Sequence, residues 1–94
     1  MTLYVCKTYK IEYQGTPLHS MDTEKFYDFL MKNCPSFWRD DNRAEAEREE
    51  LQDLLNELPA MENLPLDREV LTNLINQAIT ESDQDDNYVH FEMF

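Results

Sequence analysis

The sequence predicts an α+β fold: three helices packed on a small antiparallel sheet, in one domain spanning residues 1–94. Three observations predict it. Apolar alternation of period two marks both ends of the chain, in TLYVCKTYKIEY (residues 2–13) and YVHFEMF (residues 88–94). Apolar residues at helical spacing fill the interior. With 94 residues, 41% hydrophobic and 12% aromatic, the chain can bury one core but not two.

The first strand has Leu3, Val5, Tyr9, Ile11 and Tyr13 on one parity, and Tyr4, Cys6, Thr8, Lys10 and Glu12 on the other. Gln14-Gly15 offers a tight turn, after which Thr16–Ser20 can return as a short edge strand carrying Pro17. Ser20 or Asp22 then caps a helix whose stripe is Phe26, Phe29, Leu30 and Cys34, with Tyr27 and Met31 beside it, and Pro35 stops it. Phe37 and Trp38 follow as a hydrophobic plug. Burial is expected of Trp38, because a small domain uses its single Trp for core area. Exposure as an interface anchor is the alternative.

A second helix is expected from Asn42 to Leu58, with Asn42 and Glu45 resembling a capping box and Leu51, Leu54, Leu55 and Leu58 turned inward. Pro59 and Pro65 bracket a connector. Asp67 caps a third helix carrying Val70, Leu71, Leu74, Ile75, Ala78 and Ile79. The polar loop ESDQDDN leads into the last strand, with Val89, Phe91 and Met93 inward, which most simply pairs with the first strand or its hairpin.

The net charge of −12 is unevenly placed. Residues 1–39 carry five Lys/Arg against four Asp/Glu, whereas residues 40–94 carry three against sixteen. Such a field attracts basic surfaces and repels nucleic acid and anionic membranes, so neither is expected as a direct partner. Two distant cysteines, Cys6 and Cys34, fit reduced, buried thiols. No signal peptide, membrane span or cofactor is expected, and a cytoplasmic location follows.

On a continuous helix, Asp41, Glu45, Glu49, Asp53 and Glu57 form a row with one carboxylate every fourth residue. It would extend ~24 Å along the axis. Its four like-charge steps would cost on the order of 1–2 kcal/mol, relieved in part if Arg43 reaches Glu47 and Arg48 reaches Glu45. A winding line of carboxylates imitates a line of phosphates, and can occupy a groove built for nucleic acid. The plain alternative is a solvated helix face that aids solubility.

In its small size, strong acidity and lack of a catalytic motif, the chain resembles the phage-encoded inhibitors of bacterial defence, the anti-CRISPR and anti-restriction proteins. That row and the loop ESDQDDN carry the likeness. The resemblance implies a non-enzymatic nucleic-acid mimic that binds a basic nucleic-acid-binding protein in the host cytoplasm. The partner-binding residues expected are Asp41, Glu45, Glu49, Glu50, Asp53, Glu57, Asp83, Asp85 and Asp86. Two other readings stay open: an immunity protein or antitoxin against a basic nuclease, and an acidic structural adaptor.

Other chemistry is poorly supported. Asp83, Asp85 and Asn87 have the spacing that opens a calcium loop, but Tyr88 stands where Gly is needed and Phe94 where Glu is needed. His19, His90, Cys6 and Cys34 lack partners at zinc-ligand spacing, so no metal is expected, and His90 reads as a surface or cross-strand contact. One glycine rules out a glycine-rich phosphate cradle, and no nucleophile has a nearby base.

Overall fold

The computed structural model describes residues 8–10, 12–13, 16–17, 20–41 and 43–92. The expectations for Leu3, Val5, Cys6, the Gln14-Gly15 turn, His19, Asn42 and Met93 lie outside these residues. The elements are β1 (Thr8–Lys10), β2 (Glu12–Tyr13), β3 (Thr16–Pro17), α1 (Ser20–Asn33), β4 (Trp38–Asp40), β5 (Arg43–Glu47), α2 (Arg48–Glu57), a 3-10 turn (Leu58–Ala60), α3 (Arg68–Glu81) and β6 (Tyr88–Glu92).

The fold is α+β with three α-helices, and β2 and β3 form the expected antiparallel hairpin, with Tyr13 opposite Thr16. The main sheet has the order β1-β6-β5-β4. The first strand does pair with the last, but in parallel, with Thr8 opposite His90. The antiparallel expectation holds only for β4, β5 and β6. A strand that the sequence reading missed lies on the other edge of β6. β5 takes the antiparallel side of β6 along all five residues, from Arg43↔Glu92 to Glu47↔Tyr88.

That strand corrects the second helix, expected from Asn42 to Leu58. Arg43–Glu47 is extended, and the helix begins only at Arg48. RAEAE alternates as strictly as a strand can, with Ala44 and Ala46 buried and their neighbours half-buried or exposed. Alanine and glutamate are strong helix formers, so local propensity points the wrong way and cross-strand packing overrides it. Asp40 pairs with Arg43, so β4 and β5 form a tight hairpin. Asp41 adopts φ 54°, a left-handed conformation such a hairpin requires and that Asp tolerates.

All three helices feed one core. It contains Phe26, Tyr27, Phe29, Leu30 and Cys34 from α1 and its end, Leu51 and Leu54 from α2, Leu58 beyond it, and Leu71, Leu74, Ile75, Ala78 and Ile79 from α3. Ala44, Ala46, Val89 and Phe91 form the sheet's contribution. Phe91 meets Phe26 edge-on at 5.7 Å and Tyr27 at 6.5 Å between ring centroids. α1 therefore lies on the inner face of β6. Met31, expected beside the stripe, is exposed.

Trp38 corrects a second expectation. It is 56% exposed at the start of edge strand β4. Its neighbour Phe37 supplies the plug instead, half-buried with its ring 5.9 Å from Tyr27.

Candidate acidic interface

The five-carboxylate row does not exist as a helical feature. Asp41 sits at the β4–β5 hairpin, and Glu45 lies on β5 beside His90, whose Nδ1 is 3.4 Å from its carboxylate. Glu49, Asp53 and Glu57 remain, all exposed on α2. They span ~12 Å of axis with two like-charge steps, so the self-repulsion falls to roughly 0.4–1 kcal/mol.

Glu50 is committed within the chain. The N–H and hydroxyl of Ser36 both donate to Glu50 Oε1 at 2.9 Å, and Ser36 Oγ accepts the N–H of Glu47 at 2.9 Å. Glu47 is the N-cap of α2 and caps nothing with its own side chain. Ser36, eleven residues upstream, thus relays the carboxylate of Glu50 to the N–H of the N-cap residue, where the sequence reading expected a local capping box at Asn42 and Glu45. Asp67 likewise holds the N-cap position of α3 without a side-chain capping bond.

The loop acids divide. Asp86 accepts the N–H of Tyr88 through one oxygen and faces His90 Nε2 at 2.9 Å through the other. Asp83 accepts the N–H of Asp85, an Asx turn closing the loop. Asp85 itself is exposed.

The cations explain why α2 stays acidic. Residues 48–87 contain two basic side chains, Arg48 and Arg68, against eleven acids. Arg48 does not reach Glu45. Its guanidinium donates to the carbonyls of Ile79 (2.6 Å), Asp83 (2.5 Å) and Asp86 (3.1 Å) and to Ser82 Oγ (2.9 Å). A positive charge at the C-terminus of α3 is favoured by the helix dipole and satisfies carbonyls the helix leaves open. Arg68 does the same beyond α2, donating to the carbonyls of Leu58 and Met61. Arg43 turns to Glu92 across the sheet at 3.9 Å rather than to Glu47. Among the described residues, no basic side chain pairs with Glu49, Asp53 or Glu57.

The opposite end of the charge distribution is also settled. Arg39 makes a two-pronged salt bridge to Glu24, both contacts 2.6 Å, and stacks 5.0 Å from the Tyr27 ring. These hydrogen bonds hold the Glu24 carboxyl below the usual range. Burial pushes the Tyr27 hydroxyl up to about 12, and it also pushes the Cys34 thiol up to about 12, with the charge of Glu50 adding to the latter. Cys34 is therefore an inert core thiol rather than a nucleophile.

A recess of about 430 Å³, lined by Glu47, Arg48, Glu49, Gln52 and Asn87, joins the sheet to the first turn of α2. Among the described residues, no group of three or more His, Cys, Asp or Glu side chains is placed to hold a metal ion, and no helix is long and apolar enough to cross a membrane. The inward arginines were missed from sequence, and the exposure of Trp38 was there only the less favoured alternative. The cue for that exposure was that Trp38-Arg39-Asp40 runs straight into the turn-forming pair Asp41-Asn42. No protein-family model, curated protein or solved structure matches the chain.

Proposed function

We propose that this chain is a non-enzymatic acidic inhibitor that occupies a basic nucleic-acid-binding surface of another protein, with Glu49, Asp53 and Glu57 as its leading contacts. One observation supports this above the others: Arg48 and Arg68 are spent on backbone carbonyls, so Glu49, Asp53 and Glu57 face solvent with no counter-ion among the described residues. A carboxylate column of this kind steers encounter with a positive groove and competes there with phosphates. Asp85 widens the same charge, whereas Asp41 and Glu45 belong to other surfaces and Glu50, Asp83 and Asp86 maintain the fold. The reading thus rests on a shorter carboxylate line than a continuous helix would carry.

The test is retention of lysate proteins on the immobilised chain at low and high salt, followed by displacement of labelled DNA or RNA from each retained protein. The reading expects a salt-sensitive complex with a nucleic-acid-binding protein, and loss of displacement on combining Glu49→Lys, Asp53→Lys and Glu57→Lys. A partner held equally at high salt and indifferent to nucleic acid contradicts it.

A further inference from the structure

The helices cover the sheet face that carries Ala44, Ala46, Val89 and Phe91. The opposite parity forms an outer face that no described element covers. Register places Trp38, Glu45 and His90 in one row across it, and Glu47 and Tyr88 in the next. Trp38 is 56% and Tyr88 39% exposed. Asp40, Glu45, Glu47 and Glu92 share this face with Arg43, His90 and, by register with Glu92, Lys10, so four acids stand against two permanent cations.

Two strand spacings and a two-residue step separate Trp38 from Tyr88, which puts the two rings ~12 Å apart. Glu45 and Glu47 lie on the strand between them. Side chains four positions apart on one side of an extended chain are ~13 Å apart. Guanidinium groups stack flat on aromatic rings while forking to carboxylates, which ammonium groups do not do.

We propose that the outer sheet face docks an extended, arginine-bearing segment of a partner protein, its guanidinium groups stacked on Trp38 and Tyr88 and bonded to Glu45 and Glu47. The inference rests on the reading of the chain as a ligand for basic proteins. It adds what holds the complex after charge has brought the two together: aromatic anchors, which carry most of the energy at such interfaces. The recess lined by Glu47 and Glu49 makes this face continuous with the α2 carboxylates.

Trp38 is the chain's single tryptophan, so its fluorescence reports docking directly. The probe is a short threonine- and valine-rich peptide with two arginines four positions apart, matching the ~13 Å spacing. Controls place the arginines side by side or replace them with lysine. The expected result is a saturable blue shift of Trp38 emission with the spaced-arginine peptide, with both controls weaker, and affinity reduced about tenfold in a folded Trp38→Ala variant. Equal binding by the side-by-side peptide, binding without a change in Trp38 emission, or no binding overturns the proposal. The triple Glu49→Lys, Asp53→Lys, Glu57→Lys variant separates the two readings. If it still displaces nucleic acid from a partner while the Trp38 response persists, the α2 column is dispensable and the sheet face stands. If wild type displaces nucleic acid, the triple variant does not, and Trp38 stays silent, the column stands and the sheet face falls.

Discussion

Arg48 Nη1 lies 2.6 Å from the carbonyl oxygen of Ile79, thirty-one residues away, and this contact ties the start of α2 to the end of α3. The same guanidinium reaches Ser82, Asp83 and Asp86, so one side chain organises the loop that leads into β6. Replacing it takes a charged donor from the carbonyls of Ile79, Asp83 and Asp86, leaving Ile79 with Gln84 Nε2 and Asp83 with the N–H of Asp86. Arg48→Met is expected to cost about 2–4 kcal/mol in urea unfolding, with Arg48→Lys recovering only part, because an ammonium lacks the planar fork. Hydrogen exchange should quicken first at the end of α3 and across 83–87.

Glu50 and Ser36 are expected to behave as one unit. Glu50→Gln and Ser36→Ala should each destabilise by about 1–2 kcal/mol, and the double variant by less than their sum. Charge alone makes the opposite forecast, since removing one acid from so acidic a chain should help. A double-mutant cycle in urea decides between them.

Asp41 offers a test of the hairpin itself. At φ 54°, Asp41→Gly should be neutral or slightly stabilising, and Asp41→Val should cost about 1–2 kcal/mol. A helix running through this segment would penalise the glycine instead. Thermal unfolding of the two variants settles the order.

Alkaline pH should unfold the chain through its buried groups. Cys34 and Tyr27 are raised to about 12 from ordinary values of 9.0 and 10.0, so the unfolded state releases protons that the folded state keeps. Their contribution is intact below those ordinary values and is lost as pH rises from 9.0 towards 12. At about pH 8, in a Cys6→Ser background, Cys34 should react with a disulfide reagent only at the rate of unfolding. Glu24 works in the other direction: its lowered carboxyl contributes above the ordinary value of 4.5 and ceases to as pH falls through its folded value.

The α1 and α3 stripes, the hairpin at the start and the inward parity of Val89 and Phe91 were all legible, because each rests on period and on large apolar residues. RAEAE was not. Its inward residues are two alanines, which give little hydrophobic signal, and its carboxylates fall at helical spacing by coincidence with the real helix that follows. The alternation itself, together with Asp-Asp-Asn before it, was the available cue. The roles of Glu50 and Arg48 could not be read locally, since their partners lie fourteen and at least thirty-one residues away. That distance divided the candidate site into acids that build the fold and acids that face outward.

If Glu49, Asp53 and Glu57 are the acids that meet a basic partner, they add nothing favourable to stability. The direct measurement is urea unfolding of the combined Glu49→Lys, Asp53→Lys, Glu57→Lys variant, read beside Glu50→Lys. The account predicts that the triple variant stays within about 0.5 kcal/mol of wild type or above it, while Glu50→Lys alone is markedly less stable. A triple variant that unfolds early would contradict it, because those carboxylates would then be holding the chain together rather than facing a partner.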